Sequence, residues 1–317
     1  MWGIVVCLMP AVRDYKEFWA LRFILGLSQS CFYPGMIFLF GSWYTKVELG
    51  TRIMIFGAGN ELSGAVGGLI SGLIADTMDG VAGLRSWKWL FIIEGLLAVV
   101  LGLVGYVLLP DFFHNTTWLT QEEQTLAKSR VQNQGVNVIS TVYSWKTVTN
   151  TLATPYLWLM VINVTLVGLS QNYLRNLVII LRDLGFPVSF CNYMLTPVYL
   201  FSALAAIFIG WSSDKKEGDR AFHIASVQLW IGTWYMILGV VNGGNNPVML
   251  VFIGAYAISI NTSMGTFCMA WLNEFYEADH NARSFGIAFV NSIRQITGSL
   301  VNVKAWIVSD SPEFCKF

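Results

Sequence analysis

The sequence predicts an all-α, polytopic membrane helix bundle. Three observations predict it: 55% of the 317 residues are hydrophobic, only 12% are charged, and apolar runs of membrane-crossing length recur along the chain. Soluble domains carry about 25% charged residues, roughly twice this fraction. The mean hydropathy of +0.57 points the same way.

Crossing a hydrocarbon core of ~30 Å takes about 20 apolar residues at ~1.5 Å each. That ruler gives eight full spans, at 18–43, 53–75, 88–109, 153–175, 190–211, 222–241, 248–271 and 284–307. Met1 to Val12 is also apolar, but at ~1.5 Å per residue it is too short to cross. It lacks the basic start and small-residue cleavage site of a signal peptide, and reads as the end of a helix whose beginning is absent. The chain thus holds about eight spans and a partial one.

Composition excludes several classes. Nineteen basic residues balance nineteen acidic ones, so no field attracts nucleic acid. The five cysteines show no CxxC spacing and the three histidines are scattered, so no metal site or cofactor is expected. Catalytic signatures are lacking too: no HExxH, no paired aspartates and no serine–histidine arrangement at helical spacing. No Walker-type phosphate loop supports an ATP-driven pump. The glycines Gly64-x-x-x-Gly68-x-x-x-Gly72 instead form a small-residue face that lets helices approach closely.

A polar segment divides the spans, giving residues 1–110, a linker at 111–151, and residues 152–317. Within the linker, Thr120 and Glu123 have capping-box spacing, which predicts a short helix ending near Lys128 and Arg130. The two flanking parts share a pattern. Trp43 leads to Arg52, Asn60, Gly67, Leu69 and Ile70, while Trp271 leads to Arg283, Asn291, Gly298, Leu300 and Val301. Arg to Asn is eight residues in both copies, and Asn to Gly is seven. Such parallel repeats build two-part transporters. If 45–52, 110–151, 212–221 and 272–283 are cytoplasmic, they hold nine Lys/Arg against five in the opposite loops, in line with the positive-inside tendency. The Asn115-Thr116-Thr117 sequon then falls on the cytoplasmic side.

Longer motifs carry a family resemblance. Trp19 through Arg22, Gly26, Gln29, Tyr33-Pro34-Gly35, Trp43-Tyr44 and Glu48 to Arg52 resembles the fourth helix of the anion:cation symporter branch of the major facilitator superfamily. The fungal allantoate-permease-like transporters are the nearest group. Trp87 to Gly95, Pro110-Asp111, Trp118 to Glu123, and Asn192 to Pro197 also fit it. The likeness runs from late in the third helix to the end of the eleventh, of an expected twelve. It implies a major-facilitator helix bundle in a fungal plasma membrane, a small organic anion as substrate, and protons as coupling ions. Gly210 to Lys215 with Gly218 and Arg220 resembles the family loop between the eighth and ninth helices. There Asp214 would pair with cations to hold the cytoplasmic side shut, or simply anchor a helix end.

Ionisable groups inside a bilayer are costly and therefore functional candidates. Arg22, Gly26, Gln29 and Tyr33 are spaced to share one helical face. Arg22 matches a family arginine implicated in anion recognition, where a guanidinium grips a carboxylate bidentately; snorkelling to the interface is its other reading. Many relatives carry glutamate where Gln29 stands, and an amide cannot titrate. Proton coupling would then fall to Glu61 or Glu94, of which Glu94 also reads as an anchor near its helix start. Asn163, Gln171, Asn172, Tyr173 and Asn261 either line the cavity or glue helices together. Asn60 and Asn291 read as packing or gating residues, and Arg294 as the partner of a carboxylate or of substrate.

The expected function is therefore secondary active transport of a small organic anion, such as a carboxylate vitamin or ureide, coupled to protons and driven by alternating access. The alternative is a truncated, non-transporting membrane protein or a receptor-like sensor.

Overall fold

A computed structural model describes residues 1–109, 116, 119–132, 144–215, 219–241, 247–276 and 279–305. Pro110-Asp111, Asn115, Thr117, Trp118, Gly218 and the stretch 310–317 lie outside the described residues, as do the side chains of Lys128 and Arg130. Among the described residues the chain is helical, with no strand.

The opening apolar stretch forms α1 (Trp2–Leu8) and a single 3-10 turn at Met9–Ala11. The first full span is two helices, α2 (Tyr15–Gln29) and α3 (Phe32–Trp43). Asp14 caps α2 by accepting from the Tyr15 amide at 2.7 Å. Pro34 has no N–H to donate back to Ser30, which loosens the ladder at the joint. Ser30 and Cys31 keep helical dihedrals, so the span bends without ending.

Next come α4 (Lys46–Thr77), α5 (Ser86–Leu108) and the linker helix α6 (Gln121–Gln132). The capping box forms as its spacing predicts: Glu123 accepts from the Thr120 amide at 2.9 Å, and Thr120 Oγ1 accepts from the Glu123 amide at 3.3 Å. A second linker helix, α7 (Trp145–Ala153), capped by Ser144, was not anticipated.

The fourth span is broken into α8 (Pro155–Ser170), α9 (Asn172–Arg175) and α10 (Leu177–Asp183). At the second break, Asn176 Nδ2 donates to the Asn172 carbonyl at 2.8 Å, a side-chain bond that competes with the helix ladder. Then follow α11 (Val188–Lys215), which contains Pro197, and α12 (Arg220–Val241). The seventh span is again broken, into α13 (Pro247–Ser259) and α14 (Met264–Phe275), and α15 (His280–Ala305) closes the described chain.

Seven helices among the described residues are long and apolar enough to cross a membrane. The eighth expected span, 284–307, is present as the continuous helix α15 but is less apolar. Arg283, Asn291, Arg294, Gln295 and Asn302 interrupt its hydrophobic run.

Packing between the two parts runs along α4 and α11, which lie antiparallel. Thr51 near the start of α4 meets Asp214 near the end of α11, and Asp76 near the end of α4 meets Tyr193 near the start of α11. The small-residue face of α4 makes this possible. A Cβ on Gly68 would sit 2.8 Å from the Asn192 carbonyl oxygen, and one on Gly64 would sit 3.2 Å from the Tyr199 ring. The largest buried apolar cluster joins both parts, with Ile37, Ile53 and Met54 packed among Leu157, Phe267 and Ile287.

Candidate functional site

A cavity of about 700 Å³ lies where α2–α4 face α9, α11, α14 and α15. Of the residues expected at the site, Gln29, Tyr33, Asn60, Glu61, Gln171, Asn291 and Arg294 line it. Helix breaks put several of them there. Gln171 sits in the gap between α8 and α9, and Thr262 in the gap between α13 and α14. An interrupted helix frees backbone carbonyls, which need donors in a membrane. The Gln171 side-chain Nε2 supplies one, donating to the Thr262 and Asn261 carbonyls at 2.8 and 3.3 Å. Its Oε1 then accepts from Arg294 Nη2 at 2.9 Å.

Arg294 is further held by two glycines. A Cβ on Gly168 or on Gly265 would come within 3.0 Å of its side chain. The Arg294 Nε is buried and unpartnered. Arg175, one turn after Gln171, lines the same cavity and is exposed within it. Glu61 is the carboxylate among these lining residues, 2% exposed. Asn60 and Ser263 approach it at 3.5 Å each. Tyr33 closes one wall by donating to Thr266 Oγ1 at 3.1 Å.

Other expected residues lie elsewhere. Arg22 is exposed and outside the cavity; its guanidinium rests over the Phe18 and Phe91 rings, 5.0 and 5.8 Å from their centroids. The reason is packing. Phe18, Leu21 and Leu25 turn α2 toward Val5, Met9 and Phe91, which leaves Arg22 on the flank of that contact. Asn163 accepts from Cys268 Sγ at 3.2 Å, Tyr173 donates to the Val251 carbonyl at 3.1 Å, and Asn261 donates to the Val167 carbonyl at 3.2 Å. These three tie helices together away from the cavity. Asn172 is buried, and neither end of its amide is bonded. Arg175, Tyr199 and Thr266 line the cavity unforeseen. The one sequence signal for Arg175 was its i, i+4 relation to Gln171.

Asp214 and Arg220 meet at the opposite end from Arg175. Asp214 Oδ2 accepts from the Thr51 amide and hydroxyl at 2.6 Å each. Arg220 Nη2 lies 3.1 Å from Asp214 Oδ1, and its Nε donates to Glu274 at 2.8 and 3.0 Å. Gly50 is required here, since a Cβ would collide with both Arg220 and Asp214. Beside this cluster, Arg283 is 1% exposed. It donates to the Gly41 carbonyl and to Ser42 Oγ at 3.2 Å, with its guanidinium 4.8 Å from the Phe38 ring centroid. A cation at the last carbonyls of α3 suits that helix dipole. Asn273 Nδ2 adds a bond to the Ile37 carbonyl at 2.8 Å. Thr51, Asp214, Arg220, Glu274 and Arg283 thus gather at one end of the bundle.

The family model described as Major Facilitator Superfamily matches residues 1–301. The chain belongs to that superfamily. Its relatives include the "MFS-type transporter cnsO" of Penicillium expansum, 32% identical over 225 residues, which cover 68% of this chain and 43% of that protein. The "Putative metabolite transport protein NicT" of Pseudomonas putida is 27% identical over 310 residues, 98% of this chain and 69% of that protein. The "MFS transporter prlL" of a fungal species is 28% identical over 228 residues, 71% of this chain and 45% of that protein. The matches to the two fungal relatives thus span less than half of their length. As a major-facilitator chain, this is a multi-pass membrane protein of a transporter family.

Proposed function

We propose that this protein is a secondary active transporter of a small organic anion, coupled to protons, working by alternating access in the plasma membrane. The observation that carries the proposal is the cavity between the two parts of the chain, which holds Arg175 and Arg294 opposite the single carboxylate Glu61. Charged groups at membrane depth cost several kcal/mol, so two arginines without paired carboxylates point to an anionic ligand. Residues 1–110 and 152–317 act as the two halves, joined by the 111–151 linker.

In this reading Arg294 grips the substrate carboxylate, with Gln29, Tyr33 and Gln171 completing the wall. Glu61 takes up and releases the coupling proton, the role that Gln29 cannot fill. Asn60 and Asn291 adjust the cavity as the halves move. Asp214 and Arg220 form the cytoplasmic gate. Their bonds to Thr51 and Glu274 shut that end, while the more accessible lining residues, Gln29, Arg175 and Gln295, lie away from it. This supports an outward-facing arrangement.

The test is uptake by the purified chain in liposomes with an acid exterior, using labelled pantothenate, biotin and allantoate as probes. Accumulation that collapses with the pH gradient, is lost in Arg294→Gln and survives in Arg22→Gln is the expected result. Uptake that ignores Arg294 overturns its assignment. Uptake indifferent to both the gradient and Glu61→Gln overturns proton coupling. Failure of all three probes to enter, when an organic cation does, overturns the anion reading.

A further inference from the structure

We propose that the substrate is an organic dianion whose two carboxylates are met by Arg175 and Arg294. The inference rests on reading the cavity as an anion site, and it adds the number and placement of the charges. Both arginines project from the second half of the chain, and neither is ion-paired to a carboxylate among the described residues. Both line the same cavity as Tyr199 and Glu61. Around Glu61 the groups in reach are the Asn60 amide and the Ser263 hydroxyl, and among the described residues no arginine is ion-paired to it.

The balance of charge follows. With Glu61 protonated the cavity carries two positive charges, and a monoanion leaves one of them uncompensated where solvent screening is weak. A dianion removes both. Each guanidinium offers a planar fork suited to one carboxylate.

The two forks are held differently. Arg294 is fixed by Gln171 and by the Gly168 and Gly265 slots, and its Nε still lacks a partner. Arg175 is exposed in the cavity with no side-chain hydrogen bond among the described residues. One rigid anchor and one adjustable arm suit a diacid whose carboxylates are separated by a variable spacer.

The test compares matched acids by thermal protection of the purified full chain at constant pH and ionic strength: succinate with butyrate, and adipate with hexanoate. The diacid of each pair is expected to protect at a concentration at least about tenfold lower, one bidentate pair being a strong charge-assisted contact. Arg175→Gln is expected to erase that preference, and Arg175→Lys, which keeps the charge, to retain part of it. Equal protection by both members of each pair overturns the dianion inference and leaves the anion reading standing. So does a preference that persists in Arg175→Gln. Protection by none of the four acids overturns the inference and the anion reading together.

Discussion

Gln171 accepts a hydrogen bond from Arg294 Nη2 through its Oε1, at 2.9 Å, while its Nε2 is held by two carbonyls released at the break between α13 and α14. A broken helix on one side of the cavity thus sets the direction of a cation on another. Gln171→Glu keeps the shape and replaces the amide with a carboxylate that pairs with Arg294 internally. The expected result is a KM for anion uptake raised at least about tenfold, since charge-assisted bonds are roughly twice as strong as neutral ones. Gln171→Asn, a shorter amide, is expected to fall between the two. Initial-rate uptake against substrate concentration reads both.

Arg220 joins Asp214 and Glu274 at the end of the bundle opposite Arg175 and is 6% exposed. Removing one member of a buried ion cluster leaves the others uncompensated, at about 3–5 kcal/mol. Arg220→Met is therefore expected to open that end. A Ser213→Cys probe, buried in the intact protein, should become reactive toward N-ethylmaleimide in this background. Unchanged protection of the probe would sink the gating role.

Glycines on α4 and α12 give opposite expectations. Gly68→Ala places a methyl group 2.8 Å from a backbone oxygen of α11, an overpacking expected to cost about 1–3 kcal/mol. Gly232 in α12 has nothing within 4 Å of a built Cβ. Gly232→Ala should be neutral, or should stabilise by up to about 1 kcal/mol through helix propensity. Thermal unfolding of the two variants side by side checks both signs.

The Glu123 carboxyl is held below its ordinary value of 4.5 by the Thr120 backbone amide and then by the Thr120 hydroxyl. A depressed value in the folded helix means that the cap's support is present above the unfolded value and is lost as pH falls through the lower, folded one. The protection factors of α6 amides, corrected for the intrinsic pH dependence of exchange, are expected to fall only when the pH drops below the ordinary carboxylate range. In Glu123→Gln the protection should be lower at neutral pH and should no longer fall with acid.

How much of this was legible in the sequence depends on what kind of rule applied. Spans were readable because the bilayer demands length and apolarity, and both are written in the residues. The capping box was readable because its bonds are local. Breaks inside spans, at Gln171 and at 260–263, were not, since no proline or glycine pair marks them and tertiary carbonyl acceptors stabilise them. Arg22 shows the other limit. Helical spacing put it on one face with Gln29, yet Gln29 lines the cavity and Arg22 does not, because Phe18, Leu21 and Leu25 pack that part of α2 on α1 and α5. Arg175 was passed over because a charge near a span end resembles an interfacial anchor. The extra turns of α10, which carry the span on to Asp183, place it deeper than that reading assumed.

The seam between α4 and α11 bears on how fast such a machine can run. In the proposed alternating-access cycle the Asp76–Tyr193 contact at one end is the natural fulcrum, while the Thr51–Asp214 bond at the other end breaks as the gate opens. Gly64, Gly68 and Gly72 present nearly bare backbone along that line, so one helix can roll over the other with few rotamers to re-sort. A bulkier residue on this track acts as a brake: it slows turnover while every group that touches the cargo stays in place.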